Sequence, residues 1–203
     1  MKPIQAPYLP PKKDGDSKYL LALDMDETLV HVTYKDDGEI NFSTRPYLDK
    51  FLTDLSKDYE IIVFTTSKEN YANSILDEVD DKHLIKHRLY RNHSVSDDQT
   101  KFIKDMNKIG RDIKKSIIID DKAKNFALTP NNGIKIKAWY SDKSDRELKK
   151  LIPFLHSIVA NKEEDVRDVL KKFNENPGKY LDKAKESEKE KEKTKEKEKT
   201  TSK

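Results

Sequence analysis

The chain has 203 residues, 34% hydrophobic and 39% charged, with 41 basic and 38 acidic side chains and no cysteine. That length suits one domain with a sizeable core plus appendages, and the missing cysteine excludes disulfides, thiolate metal sites and any thiolate nucleophile. Nine lysines and six glutamates fall in residues 183–203, which leaves 32 basic and 32 acidic side chains for residues 1–182. The body is therefore neutral, and direct nucleic-acid binding is not expected of it. No apolar stretch reaches the length of a membrane span, and residues 1–18 lack a signal-peptide core. An intracellular location, nuclear or cytoplasmic, is the expectation.

Residues 1–18 carry Pro3, Pro7, Pro10, Pro11 and Gly15 and read as an irregular lead-in. The apolar run over residues 19–23 stops at Asp24 and Asp26, as a buried strand delivering acids to a sheet edge does. In an extended chain, side chains two apart point to the same side. Residues 32–44 predict one short hairpin turning at Asp37-Gly38. After Arg45-Pro46, Leu48, Phe51, Leu52 and Leu55 recur at helical spacing. Residues 59–64 and 116–119 are short, continuously apolar at their ends and rich in β-branched side chains, as strands buried on both faces are.

Ser144-Asp145-Arg146-Glu147 predicts a capping box, opening a helix with Leu148, Leu151, Ile152, Leu155, Ile158 and Val159 on one face. Pro153 inside it predicts a kink or one lost backbone bond. Val166, Val169, Leu170 and Phe173 predict a further helix. The expected organisation is a lead-in (1–18), one domain (19–176) and a Lys/Glu-rich tail (177–203), disordered or an exposed helix. Strands interleaved with helices argue for an α/β fold with a doubly wound, mostly parallel sheet flanked by helices. Its chemistry belongs at the carboxyl ends of the strands.

Three apolar runs end in reactive residues: Asp24 and Asp26, then Thr65, then Asp120 and Asp121. Paired carboxylates suit a nucleophile beside a proton donor. A calcium loop fits poorly, because Leu29 stands where such a loop needs glycine for its sharp turn.

Asp24-Met25-Asp26-Glu27-Thr28 resembles the Asp-x-Asp-x-Thr signature of haloacid dehalogenase (HAD) superfamily phosphatases. With His31, Arg45-Pro46, residues 64–67, Lys104-Asp105, residues 110–112 and Ile119-Asp120-Asp121, the ordered set is similar to the RNA-polymerase C-terminal-domain phosphatases, especially the small ones. The resemblance implies Asp24 as nucleophile and Asp26 as general acid, then base, with Thr65 and Lys104 binding phosphate. It also implies a magnesium ion held by Asp24, the main-chain carbonyl of Asp26, Asp120 and Asp121. Thr28, Tyr71 and Arg91 would touch substrate, a phosphoserine or phosphothreonine protein, and a monomer is expected. The chain departs from the family in having Asp120-Asp121-Lys122-Ala123 where Asp-Asn-Ser-Pro is usual. Its short 32–44 segment implies weak selection for a proline beside the phosphoserine.

Two other readings compete. The stretch from Lys122 through Trp139, Asp145 and residues 165–167 also resembles the phosphatase-like receptor subunit of the mitochondrial presequence translocase, which binds peptides without catalysis. A small-molecule phosphatase would need a cap domain, and the intervals 29–64 and 66–103 leave no room for one.

Overall fold

The structure, a computed structural model, describes residues 4–36, 39–96 and 101–181. The three apolar runs form β1 (Tyr19–Leu23), β4 (Tyr59–Phe64) and β8 (Ser116–Asp120), each buried throughout. β1 pairs in parallel with β4 on one side and β8 on the other, so that Leu23 lies level with Val63 and Ile119. β5 (Ile85–Leu89) and β9 (Gly133–Lys135) extend this to a parallel five-stranded sheet in the order β5-β4-β1-β8-β9. Chain order thus reverses direction at β1, and in open sheets of this kind ligands bind at such a switch point, beyond the carboxyl ends of the strands.

Two short antiparallel pairs stand outside the sheet. β2 (Val30–Tyr34) pairs with β3 (Ile40–Thr44) as the expected hairpin, although its Asp37-Gly38 turn lies outside the described residues. β6 (Val95–Ser96) pairs with β7 (Phe102–Ile103), which leads directly into Lys104. Neither interval between the strand-end motifs holds a separate cap domain among the described residues.

Alternate residues of the central strands feed two cores, as a period of two requires. Leu21, Leu23, Ile61, Val63, Ile117 and Ile119 join one cluster. The buried faces of α1 (Leu48–Leu55), α2 (Glu69–Val79), α3 (Glu147–Ala160) and α4 (Val166–Glu175) complete it. Leu20, Ala22, Ile62, Phe64 and Ile118 meet Leu9, Met106, Ile109 and Phe126 on the other face. That face is covered by the lead-in and by 3-10 turns. The N–H groups of Tyr8 and Leu9 donate to the carbonyls of Lys108 and Ile109, each at 2.9 Å. Gly133 in β9 is required here: a Cβ would stand 2.0 Å from the Phe126 ring, which anchors the 3-10 turn Ala123–Phe126 below the site.

The capping box at the start of α3 does not form. The Ser144 hydroxyl turns back to Asp142 at 2.7 Å, and Asp145 instead accepts from the Glu147 N–H at 3.0 Å. Asp145 is drawn there by Arg45, which is 1% exposed and contacts both of its carboxylate oxygens at 2.9 Å. The same guanidinium donates to the carbonyls of Thr28 at 3.1 Å and Lys137 at 2.9 Å, so it ties α3 to the loop after β1. α3 itself continues through Pro153 to Ala160. Most of the charged tail, residues 182–203, lies outside the described residues.

Burial opposes the Asp145 carboxylate, but Arg45 and the Glu147 N–H outweigh it and hold its carboxyl below the usual range. A depressed carboxyl contributes stability above its unfolded pKa of about 4 and loses it as pH falls through the folded value. Arg45→Met is expected to cost about 3–5 kcal/mol at pH 7, because one charge of a buried pair is left behind. Urea melts should show the deficit shrinking below pH ~4, where Asp145 takes up a proton. A deficit under about 1 kcal/mol at pH 7 would show that the pair does not hold the loop.

Candidate active site

The ends of β4, β1 and β8 lie side by side, which brings Thr65, Asp24 and Asp120 together. Asp24 continues β1 by donating its N–H to the Ile119 carbonyl at 2.9 Å. The residue is 5% exposed, and its side chain accepts from Thr28 Oγ1 at 3.1 Å and from Lys104 Nζ at 2.5 Å. Lys104, wholly buried, also donates to Asp120 Oδ2 at 2.6 Å. Its main chain is fixed by a 2.6 Å bond from its N–H to the Asn125 carbonyl.

Asp120 accepts four bonds. Besides Lys104, the Lys122 N–H donates to Oδ1 at 2.8 Å, and Asn125 Nδ2 reaches Oδ1 at 2.9 Å and Oδ2 at 3.1 Å. Asp121 differs: it is 7% exposed, and its Oδ1 is buried with no hydrogen-bond partner. Lys122 Nζ stands 3.6 Å from its other oxygen. Asp24, Asp120 and Asp121 can offer oxygens within 4.8 Å of one another.

Three carboxylates therefore face one buried ammonium. Burial pushes the Asp24 carboxyl up to about 7; Lys104 opposes that rise, and Asp120 and Asp121 add to it. Burial also raises Asp121, against the pull of Lys122. For Lys104 the same burial disfavours its charge, but Asp24 and Asp120 outweigh it and raise its pKa. The surplus of negative charge and the unpartnered Asp121 Oδ1 both suit a cation with oxygen ligands.

Asp26 goes to different partners. Ser67 Oγ donates to its Oδ2 and the Tyr71 hydroxyl to its Oδ1, each at 2.7 Å. Glu27 follows in a left-handed conformation with φ of 61°, which turns the chain into the β2–β3 hairpin. Thr65 is 1% exposed and accepts the Ser67 N–H at 3.0 Å. Arg91 lies beside this loop: its Nε donates to the Thr66 carbonyl at 2.6 Å, and its guanidinium stacks 4.9 Å above the Phe102 ring.

Asp24, Lys104, Asp120, Asp121 and Thr65 thus converge as the sequence expects. Of the three expected substrate contacts, Thr28 is fully buried beneath Asp24, Tyr71 is bonded to Asp26, and Arg91 braces the loop after β4. Thr28, like Lys104 and Thr65, has almost no exposed surface, and its hydroxyl is spent on Asp24 Oδ2. Ser67 bonds to Asp26 and Asn125 to Asp120, contacts that sequence reasoning did not anticipate. Ser67 lies two residues after Thr65 and within a quoted motif, whereas nothing in the polar stretch 122–125 marks Asn125.

A profile of the NLI interacting factor-like phosphatases matches residues 19–167, the span that holds all of these groups. The chain belongs to that family. CTD small phosphatase-like protein 2 of Dictyostelium discoideum is 38% identical over 174 residues, covering 78% of this chain and 30% of that protein. CTD small phosphatase-like protein 3 of Caenorhabditis elegans is 39% identical over 183 residues, 82% of this chain and 63% of that protein. The translocase likeness also appears: the mitochondrial import inner membrane translocase subunit TIM50 of Gibberella zeae is 35% identical over 164 residues, 81% of this chain and 31% of that protein. The chain therefore spans less than two thirds of the length of these relatives. Among solved structures, Fcp1, an essential RNA polymerase II CTD phosphatase, superposes with a TM-score of 0.66 at 17% identity, over 77% of this chain and 70% of that one. That likeness shows a shared fold, an α/β architecture built on a mostly parallel central sheet.

Proposed function

We propose that this chain is a magnesium-dependent phosphoprotein phosphatase that works through an aspartyl-phosphate at Asp24. The observation that carries the reading is the Asp24 carboxylate, presented at the switch point with Lys104 on one oxygen and the unpartnered Asp121 Oδ1 close by. Asp24 and Asp121 would hold the magnesium together with the Asp26 main-chain carbonyl. Asp120 lies in the same cluster but chiefly holds Lys104 and the turn after β8. When bound, the metal withdraws charge from the phosphate oxygens and relieves the repulsion between an anionic nucleophile and an anionic substrate.

An Asp24 oxygen attacks phosphorus as the ester P–O bond breaks. Asp26 gives its proton to the departing seryl or threonyl oxygen and is left as a carboxylate. Asp26 then takes a proton from water as that water attacks the aspartyl-phosphate, which releases phosphate and restores both acids. Lys104 neutralises charge at the phosphate, with Thr65 at the end of the neighbouring strand β4.

The absence of a cap domain among the described residues favours a phosphoserine or phosphothreonine presented on a protein over a free metabolite. The intact Asp24–Asp26 pair favours an enzyme over a peptide receptor. No helix among the described residues is long and apolar enough to cross a membrane; a nuclear or cytoplasmic site of action and a monomeric state are part of the same proposal. Among the described residues, the β2–β3 hairpin offers only Tyr34 and Ile40 as exposed large apolar side chains. That supports broad preference around the phosphoserine, with the polymerase tail one candidate among protein substrates.

The test is hydrolysis of a phosphopeptide panel, with and without a flanking proline, in magnesium and in chelator. Turnover in magnesium alone, with less than about thirtyfold preference for proline, is expected. Magnesium with fluoroberyllate should also raise the melting temperature by binding the native state. No turnover on any peptide and no thermal shift would sink the reading.

A further inference from the structure

Asp26 receives two hydroxyl donors and, among the described residues, no cationic partner. Ser67 Oγ bonds one carboxylate oxygen and the Tyr71 hydroxyl the other, both at 2.7 Å. We propose that Ser67 and Tyr71 are positioning residues that hold the Asp26 carboxyl in its working orientation before and after it gives up its proton. The inference rests on the phosphatase reading above.

Both donors are themselves firmly placed. Ser67 is held at its N–H by Thr65 Oγ1 at 3.0 Å and at its carbonyl by the Arg91 N–H at 2.9 Å. Tyr71 lies in the first turn of α2, its ring against the main core. A carboxyl on a short side chain can rotate about its bonds; anchoring both oxygens removes that freedom and fixes the direction of proton delivery.

The chemical type of the donors is the second part of the argument. An ammonium or a backbone N–H can only donate, so it favours the charged carboxylate and opposes proton uptake. A hydroxyl can donate to a carboxylate or, by rotating its O–H, accept from a carboxylic acid. Each carboxyl oxygen has two lone pairs, so both hydroxyl bonds leave room for the proton in transit and the ester oxygen. In the forward step Asp26 transfers its proton to the leaving oxygen as P–O breaks, and the hydroxyls then stabilise the carboxylate that remains. A lysine at either place would lock Asp26 in one state. In this proposal Tyr71 acts on the acid, whereas the sequence resemblance implied a contact with the substrate.

A leaving-group series separates this role from substrate contact and from scaffolding. The wild type, Ser67→Ala, Tyr71→Phe and Ser67→Thr would be assayed for kcat/KM on substituted phenyl phosphates of one shape, from p-nitrophenyl to unsubstituted phenyl phosphate. kcat/KM reports only the step that breaks the ester, so later hydrolysis of the aspartyl-phosphate does not enter. A nitrophenolate departs without help, whereas phenolate needs the proton. Ser67→Ala and Tyr71→Phe should lose at least about tenfold more on phenyl than on p-nitrophenyl phosphate, within the range that general acid catalysis supplies. Ser67→Thr, which keeps a hydroxyl, should follow the wild type. Equal losses across the series, or none, would overturn the inference while leaving the phosphatase reading intact. A wild type inactive on every phosphate ester, including the phosphopeptides, would overturn the reading itself and the inference with it.

Discussion

Asp24→Asn is expected to lower turnover by at least about ten-thousandfold while the fold remains intact. An amide has no anionic oxygen to attack phosphorus, and no other carboxylate occupies the end of β1 beside Lys104. The fold should survive because the asparagine Oδ1 can still accept from Lys104, and the Thr28 hydroxyl can turn to accept from the new amide nitrogen.

Stability should move the opposite way from activity. Burial raises the Asp24 carboxyl to about 7, so between about pH 4 and that value the native chain holds a proton that the unfolded chain has released. Stability from this group is full below about pH 4 and is lost as pH rises through about 7. The asparagine does not titrate and keeps it. In chelator the variant should therefore melt above the wild type at pH 8, and the difference should vanish toward pH 4. A variant melting well below the wild type at pH 8 would mean that the buried charge is better compensated than the geometry indicates.

Lys104→Met is expected to cost as much stability as any substitution in the chain. Lys104 is the buried cation between Asp24 and Asp120, and methionine replaces its stem without its charge. Three acids would then share one enclosed space, with the exposed Lys122 the cation paired to one of them among the described residues. Removing one partner of a buried pair costs about 3–5 kcal/mol. For a domain of this size that is roughly 6–20 °C in melting temperature. Lowering the pH should restore part of the loss by protonating the carboxylates. Magnesium should also restore part of it, which ties the defect to charge and separates it from packing. A fall of less than about 1 kcal/mol would contradict the claim that this ammonium holds the acids together.

The sheet and the convergence at its edge were legible because their causes are local. A strand buried on both faces must be apolar at successive positions, and runs 19–23, 61–64 and 117–119 have that pattern. A polar residue at the end of each such strand lands at one edge once the strands are parallel and adjacent, which places Asp24, Thr65 and Asp120.

What was not legible depends on contacts distant in sequence. Asp145 reads as part of a capping box because Ser144 and Glu147 flank it; the buried guanidinium of Arg45, a hundred residues away, decides its actual role. Asn125 gives no local signal, since its bonds to Asp120 exist only once the 3-10 turn seats Phe126 on Gly133. Lys104 was placed by its order between motifs, and its complete burial follows only from the β6–β7 pair and the Asn125 carbonyl. Tyr71 was expected at the substrate because a single sequence cannot show that its hydroxyl reaches Asp26.

The most direct measurement of the central claim is the intact mass of Asp26→Asn after mixing with magnesium and p-nitrophenyl phosphate. Nitrophenolate leaves without a proton donor, but the aspartyl-phosphate then lacks the base that activates water, so it should accumulate. One nitrophenolate released per chain is expected, together with a protein heavier by one phosphoryl group. Peptide mapping should locate that group on Asp24, and the Asp24→Asn variant should acquire none. Several turnovers of nitrophenolate with the protein mass unchanged, or a phosphoryl group found on a residue other than Asp24, would contradict the account.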